Sequence, residues 1–238
     1  MQLQQILGEP GQQVCGLLGR TRLARAFYLA GGTGLALQLK HRQSCDLDFF
    51  QESLSERVPG QQIAGEIKHL FGERLAKPAL RQSDQVVWEI AGVRVAFVAY
   101  PFSLLEPPLN AGTLYPELEG IRLATTREIA LMKAYALGRR ATFRDYVDLY
   151  FLLKTGHTTL QEIIKNACLK FTLESETLFS TRLFLEQLTY LEDLEDKDAA
   201  LNLMFDRKIT AGEVQEFFKA ETVRFLSDEI SLKKEPGL

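Results

Sequence analysis

Residues 27–50 restrict the fold more than any other stretch. They run from the apolar Phe27 to Ala30, through Gly31-Gly32-Thr33, to apolar Leu35, Ala36, Leu37 and Leu39, then His41-Arg42, and end in Asp46-Leu47-Asp48-Phe49-Phe50. Glycines placed directly behind a short apolar run stop a strand, and the apolar spacing after them is helical. The pattern predicts a strand over Phe27 to Ala30, a helix from about Thr33 to Lys40, and a second strand from Asp46 to Phe50. In that second strand side chains two apart share a face, so Asp46 and Asp48 project together while Leu47 and Phe49 turn into a core. Charges in a half-buried strand cost free energy unless something pairs with them. The strand therefore requires a partner for its carboxylates.

The rest of the chain divides into two kinds of pattern. "LGRTRLARAFYLA" reads as a helix leading into the first strand, and "ERVPGQQIAGEIKHLFG" carries helical spacing through Ile63, Ile67, Leu70 and Phe71. Two β-branched runs, Val86 to Ile90 and Val93 to Ala99, flank Ala91-Gly92 as a hairpin, and a further short strand is expected at Ile121 to Ala124 after a Pro- and Gly-rich connector. Beyond it the spacing is helical without strand signals: Thr126 to Gly138, Phe143 to Thr155, Leu160 to Phe171, Glu174 to Leu191 and Ala211 to Leu232. Thr126 with Glu128 after it suits a helix start, with acid at the positive dipole end. The tail Ser231 to Leu238 is expected to fray. The fold class is α+β: an α/β core with a small mixed sheet over residues 1–124, followed by a helical bundle over 125–238.

Composition narrows function mainly by exclusion. The 238-residue chain is 46% hydrophobic and 25% charged, enough apolar material for a core, and its net charge of −3 and pI near 5.8 exclude a wholesale polycation. Any RNA contact must come from a local patch, for which Arg20, Arg22 and Arg25, and Arg139, Arg140 and Arg144, are the candidates, with scattered surface charge as the plainer alternative. Cys15, Cys45 and Cys168 are odd in number and lack C-x-x-C spacing, which argues against a disulfide framework or a zinc site. No apolar run approaches the roughly 18 residues of a membrane span, and the N-terminus has no basic segment followed by an apolar one. The expectation is a reduced, cytoplasmic protein with no membrane partner.

Two carboxylates on one strand face can hold Mg²⁺, or Mn²⁺ in its place, hard cations that also bind nucleotide phosphates. Gly31-Gly32-Thr33, between strand and helix, lets the backbone approach a ligand while the first helical N–H groups face outward, a seat for phosphate. A phosphate seat joined to a two-aspartate strand is the layout of nucleotidyl transfer. Each part alone is weak, since G-G-T occurs in many turns and D-x-D is often a solvated edge pair. Their order and spacing carry the weight.

"GGTGLALQLKHRQSCDLDFF" resembles the signature of the AbiEii-type toxin nucleotidyltransferases, members of the DNA polymerase β-like nucleotidyltransferase superfamily found in bacterial toxin–antitoxin loci. The resemblance continues through "TTREIALMKAYALGRRATFRDYVDLYFLL", residues 125–153, similar to that family's lysine helix and its Arg-Asp-x-x-Asp-Leu-Tyr motif. It implies a polymerase-β-like core whose cleft is completed by the helical region, and an NTP-dependent, pyrophosphate-releasing transferase. Carried over, it makes Gly31, Gly32 and Thr33 phosphate contacts, Asp46 and Asp48 catalytic metal ligands, Lys133 a basic group at the nucleotide and Asp145 its polar partner. It also implies an NTP substrate, an RNA or protein hydroxyl as acceptor, and a cognate antitoxin.

Without the resemblance, Lys133 reads as a solvated helix lysine, and Asp145 and Asp148, three apart beside Arg144, as a surface ion-pair set. Arg42 either braces the Asp strand or touches phosphate, or with His41 forms only a pair of loop cations. The superfamily often brings a third carboxylate from the neighbouring strand, whereas "VRVAFVAY" offers Ala96 and no acid, with Glu89 the nearest candidate. An alternative to the enzyme is therefore a catalytically inactive nucleotide-binding module that docks a protein partner.

Overall fold

The chain begins with α1 (Leu3–Gly19), a helix interrupted at Gly8, where φ of 69° and ψ of 166° break the spiral just before Pro10. Proline needs no amide partner in a first turn, so the helix restarts there without loss. The structure, a computed structural model, describes residues 1–140 and 142–234. Two units are distinguished within the chain, Met1–Ile129 and Ala130–Leu238.

In the first unit α2 (Leu23–Ala26) leads into β1 (Phe27–Leu29), α3 (Gly31–Leu39), β2 (Leu47–Gln51) and α4 (Gly60–Leu75). Next come β3 (Ala76–Arg81), β4 (Gln85–Ile90), β5 (Val93–Val98), β6 (Leu109–Asn110) and β7 (Arg122–Leu123). These strands form one seven-stranded mixed sheet in the order β3-β4-β5-β2-β1-β7-β6. β2 lies inside it, antiparallel to β1 and parallel to β5. The β4–β5 hairpin turns at Ala91 and Gly92, with φ of 51° and 81°, the left-handed pair that matches strand twist.

The side-chain alternation of β2 builds the core beneath its charged face. Phe49 stacks on Phe97 with ring centroids 5.4 Å apart, and Phe97 meets Phe27 edge-on at 5.1 Å. Leu47, Leu29 and Val95 are fully buried, each such side chain stabilising by roughly 1.5–3 kcal/mol. On the opposite face Tyr28 stacks on Phe50, and Asp48 lies abreast of Ala96.

Helix α5 (Thr126–Leu137) begins in the first unit and ends in the second. Thr125 Oγ1 accepts the Glu128 amide, while the buried Glu128 carboxylate accepts the amides of Leu105 and Glu106. The second unit continues with α6 (Phe143–Lys154), α7 (Leu160–Lys170), the hairpin of β8 (Thr172–Leu173) and β9 (Glu176–Thr177), α8 (Thr181–Thr189), α9 (Lys197–Leu201) and α10 (Ala211–Lys234). Its core includes Tyr135 stacked on Phe171 at 4.1 Å and Tyr146 edge-on to Phe218 at 6.0 Å.

The α+β class expected from sequence is the class observed, with corrections of detail. The mixed sheet gains two strands beyond those expected, β3 and β6. β3 escapes notice because all of it but Ala76 is exposed and Pro78 lies within it, so no alternation shows. The helix expected over Glu174 to Leu191 is a hairpin followed by a shorter helix. Glu174 and Ser175 take the left-handed turn, φ of 48° and 73°, and Ser180 caps α8 by accepting the Leu183 amide. The tail expected to fray is helical as far as Lys234, and residues 235–238 lie outside the described residues. No helix among the described residues is long and apolar enough to cross a membrane.

The end of α1 packs backbone to backbone on the loop before β7. Gly120 has φ of 84°, and a Cβ there would fall 2.2 Å from the Gly19 carbonyl oxygen. Gly120→Ala is expected to lower the unfolding free energy by about 3 kcal/mol through strain and overlap, measured by urea denaturation.

Candidate active site

The turn from β1 into α3 is pressed against β2. The Ala30 amide donates to the Asp48 carbonyl at 3.0 Å, pinning the helix start to the aspartate strand. Gly31 follows with φ of 61°, and a Cβ on it would lie 3.1 Å from Asp48 Oδ2. The backbone angle favours glycine, and a side chain there would crowd the carboxylate. At Gly32 a Cβ would fall 2.1 Å from Arg42 Nη2, so the second glycine makes room for a guanidinium. Gly31 and Gly32 are half-buried at the helix N-terminus, whose first amides have no intrahelical acceptor.

Thr33 is turned the other way. It is 1% exposed, its hydroxyl shares a 2.7 Å hydrogen bond with Ser44 Oγ, and it donates to the Asp46 carbonyl. The hydroxyl therefore fixes the segment that delivers Asp46. Ser44 in turn donates its amide to the Ile6 carbonyl at 2.9 Å. Arg42, buried, donates from Nη1 to the Gln43 carbonyl at 2.9 Å, and its guanidinium lies against Gly32. His41 is likewise buried, so neither is a solvated loop cation. Cys45 is exposed beside Asp46; desolvation and then the Asp46 charge push its thiol pKa up, against the opposing pull of Arg42.

Asp46 precedes β2 and Asp48 lies within it; both are half-buried. The Asp46 carboxylate has no ion-pair partner among the described residues, whereas Asp48 Oδ1 is held by Arg94 Nη1 at 3.0 Å. Arg94 is on β5, and continuing the β2–β5 register back by one residue puts it abreast of Asp46. Ala96, fully buried, is the residue directly opposite Asp48. Glu89 shares this sheet face but pairs with Arg94, two strands from β2, a separation of roughly 10 Å. The residue nearest Asp48 on the neighbouring strand is thus a methyl, and the charged group reaching it is a cation.

The second unit holds its own carboxylate pair. Lys133 Nζ is 2.6 Å from Asp145 Oδ1 and 2.7 Å from Asp148 Oδ2. Thr142 Oγ1 donates to Asp145 Oδ2 at 2.9 Å. Lys133 and Asp145 are each 8% exposed and Asp148 is fully buried. This corrects two expectations made from the residues alone: Lys133 is not a solvated lysine, and Asp145 and Asp148 are not a surface pair. Helix α6 buries Phe143, Tyr146, Val147, Leu149, Tyr150 and Leu152 nearly all round its axis, so no face is left to solvate them.

Arg20, Arg22 and Arg25 are exposed on the first unit, and Arg139 stacks its guanidinium 3.5 Å from the Tyr135 ring in the second. Sequence reasoning did not single out Ser44 or Arg94, and it gave Asp148 no role beyond a surface ion pair. Ser44 sits in the signature itself, and Asp148 lies one turn from Asp145. Arg94 carried no signal, because its pairing with Asp48 depends on which strand neighbours β2.

A family match accounts for the combined motifs. The chain matches, over residues 15–225, the family described as "Nucleotidyl transferase AbiEii toxin, Type IV TA system". It is 30% identical over 203 residues to an uncharacterized protein of Aquifex aeolicus, an alignment covering 85% of this chain and 89% of that one. MenT4, a nucleotidyltransferase toxin of Mycobacterium tuberculosis, shares the fold with a TM-score of 0.60 at 16% identity, over 91% of this chain and 81% of its own. The chain belongs to the AbiEii nucleotidyltransferase toxin family, whose members are enzymes of nucleotide transfer.

The buried triad of the second unit is sensitive to loss of Lys133. Lys133→Met would take the shared ammonium from two buried carboxylates and is expected to cost about 3–5 kcal/mol of stability. Adding Asp148→Leu, which removes one of those carboxylates, should return part of that loss. Urea denaturation of the two variants beside the wild type measures both effects.

Proposed function

We propose that the chain transfers a nucleotide from an NTP to a hydroxyl group of RNA or of a protein, with Mg²⁺ or Mn²⁺ held by Asp46 and Asp48. The observation that supports this is the closeness of the aspartate segment to the start of α3: Asp48 Oδ2 lies 3.1 Å from where a Cβ on Gly31 would be, and Thr33 of the same helix holds the Asp46 backbone carbonyl. Two half-buried oxygen donors suit a hard cation that completes its shell with triphosphate oxygens and water. When bound, the cation would screen phosphate charge and favour ionisation of the attacking hydroxyl.

The protein's own groups would do the rest by position. Backbone amides of Gly31, Gly32 and Thr33 offer donors and the positive helix end to a phosphate. Thr33 contributes through its amide, since its hydroxyl is spent on Ser44 and the Asp46 carbonyl. Arg42 backs the same turn with a charge that stays protonated. The acceptor oxygen forms a bond to the α-phosphorus, the bond to the bridging oxygen breaks, pyrophosphate leaves, and the hydroxyl proton passes to water. Lys133 and Asp145 act at the nucleotide in this reading, a role drawn from the family motif they match. The setting is the cytoplasm, with a cognate antitoxin opposing the toxin.

Ala96 and the Arg94–Asp48 pair favour one other reading, a nucleotide-binding module that no longer transfers. Incubating the protein and Mg²⁺ with each labelled NTP, total RNA and cell extract separates the two, since only a transferase labels a macromolecule. Asp46→Ala and Asp48→Ala should each reduce labelling at least about a hundredfold. Their stability should change by about 1 kcal/mol or less, because neither carboxylate is deeply buried and the Asp48 ion pair is half-exposed. Full labelling by either variant would remove the metal-ligand assignment.

A further inference from the structure

Asp46 and Asp48 differ in what surrounds them, and the difference has a single source. On β5 the residue opposite Asp48 is Ala96, and Arg94, two residues earlier on the same face, reaches Asp48 instead. Its Nη1 lies 3.0 Å from Asp48 Oδ1, with the arginine side chain 46% and the aspartate side chain 31% exposed. The Asp48 Oδ2 atom faces the bare Cα of Gly31. One carboxylate oxygen is thus taken by a monovalent cation of the protein itself, while the Asp46 carboxylate has no such partner among the described residues.

We propose that Arg94 is a resident counter-cation of the metal site, holding Asp48 in the metal-free protein and leaving when a divalent cation arrives with nucleotide. This rests on the proposal that Asp46 and Asp48 hold that cation. A guanidinium remains protonated at any ordinary pH, so it leaves only by displacement and never by titration. A half-exposed ion pair is weak enough to break, and the long arginine side chain can swing outward without disturbing the core. Free metal must displace Arg94 and accept its repulsion. Metal arriving with a triphosphate brings further oxygens for its own shell and an anionic partner for the released guanidinium. Nucleotide and metal therefore strengthen each other's binding, and the site resists loading by metal alone.

Mn²⁺ titration followed by electron paramagnetic resonance, with and without a non-hydrolysable NTP, tests this on the full chain. Without nucleotide, Arg94→Ala should bind Mn²⁺ about tenfold more tightly than wild type. The gain in Mn²⁺ affinity on adding nucleotide should shrink in that variant. Arg94→Lys, which keeps the charge, should stay near the wild type. Equal Mn²⁺ affinity in wild type and Arg94→Ala, or an Arg94→Lys variant as tight as Arg94→Ala, overturns the counter-cation role. Asp46→Asn and Asp48→Asn separate that failure from the larger one. If they abolish Mn²⁺ binding while Arg94→Ala changes nothing, only Arg94 has been misassigned. If they leave Mn²⁺ binding intact, or no variant binds Mn²⁺ under any condition, the metal site fails and the Arg94 role with it.

Discussion

The hydrogen bond from the Ala30 amide to the Asp48 carbonyl organises the first unit's candidate site. It joins the end of β1 to the middle of β2, and the helix that starts one residue later must begin directly against the Asp48 side chain. A Cβ there would press on the carboxylate at 3.1 Å, and glycine takes φ of 61° at little cost. The bond and the glycine together determine where the helix amides point relative to the carboxylates. The sheet holds this geometry firmly, because β2 is flanked on both sides by hydrogen-bonded strands and its other face is packed with Phe49, Phe97 and Phe27.

The segment between α3 and β2 is irregular, yet it is anchored at several points. Lys40 ends the helix with φ of 56°, Arg42 is buried against Gly32, Ser44 bonds both to Thr33 and to the Ile6 carbonyl, and Thr33 holds the Asp46 carbonyl. Buried hydroxyls and guanidinium groups are costly unless satisfied, and here their satisfaction is what immobilises the backbone bearing Asp46. Thr33 therefore matters for placing an aspartate more than for what its own oxygen can touch.

Local spacing made the center of the fold legible. Strand periodicity put Asp46 and Asp48 on one side of Leu47 and Phe49, helical periodicity found α5, α6 and α7 to within a residue or two, and the Ala91-Gly92 turn marked the hairpin. What escaped depends on pairing between distant segments. β3 has no alternation because it is an exposed edge strand, and β6 is too short to carry a pattern. Arg94 becomes a partner of Asp48 only once β5 is known to lie beside β2 in parallel register. Asp148 was misjudged for a related reason: a helix buried over most of its surface has no clear polar face to set its acids against, so they look superficial until their neighbours are known.

Two same-face carboxylate pairs, Asp46 with Asp48 at strand spacing and Asp145 with Asp148 at helix spacing, contrast in how firmly each holds its partner. Asp145 and Asp148 are buried and share Lys133 at 2.6 and 2.7 Å, with Thr142 on a further oxygen. Removing any member of such a cluster exposes the others to a low-dielectric interior, so the cluster resists rearrangement. Asp46 and Asp48 sit half-buried, with Arg94 held on Asp48 alone by a half-exposed contact. There the balance of desolvation and pairing is shallow, and an incoming cation has only a weak, solvent-screened bond to replace. Sequence spacing brings both pairs together equally well; burial and the strength of the resident partner decide which of them can exchange that partner for another.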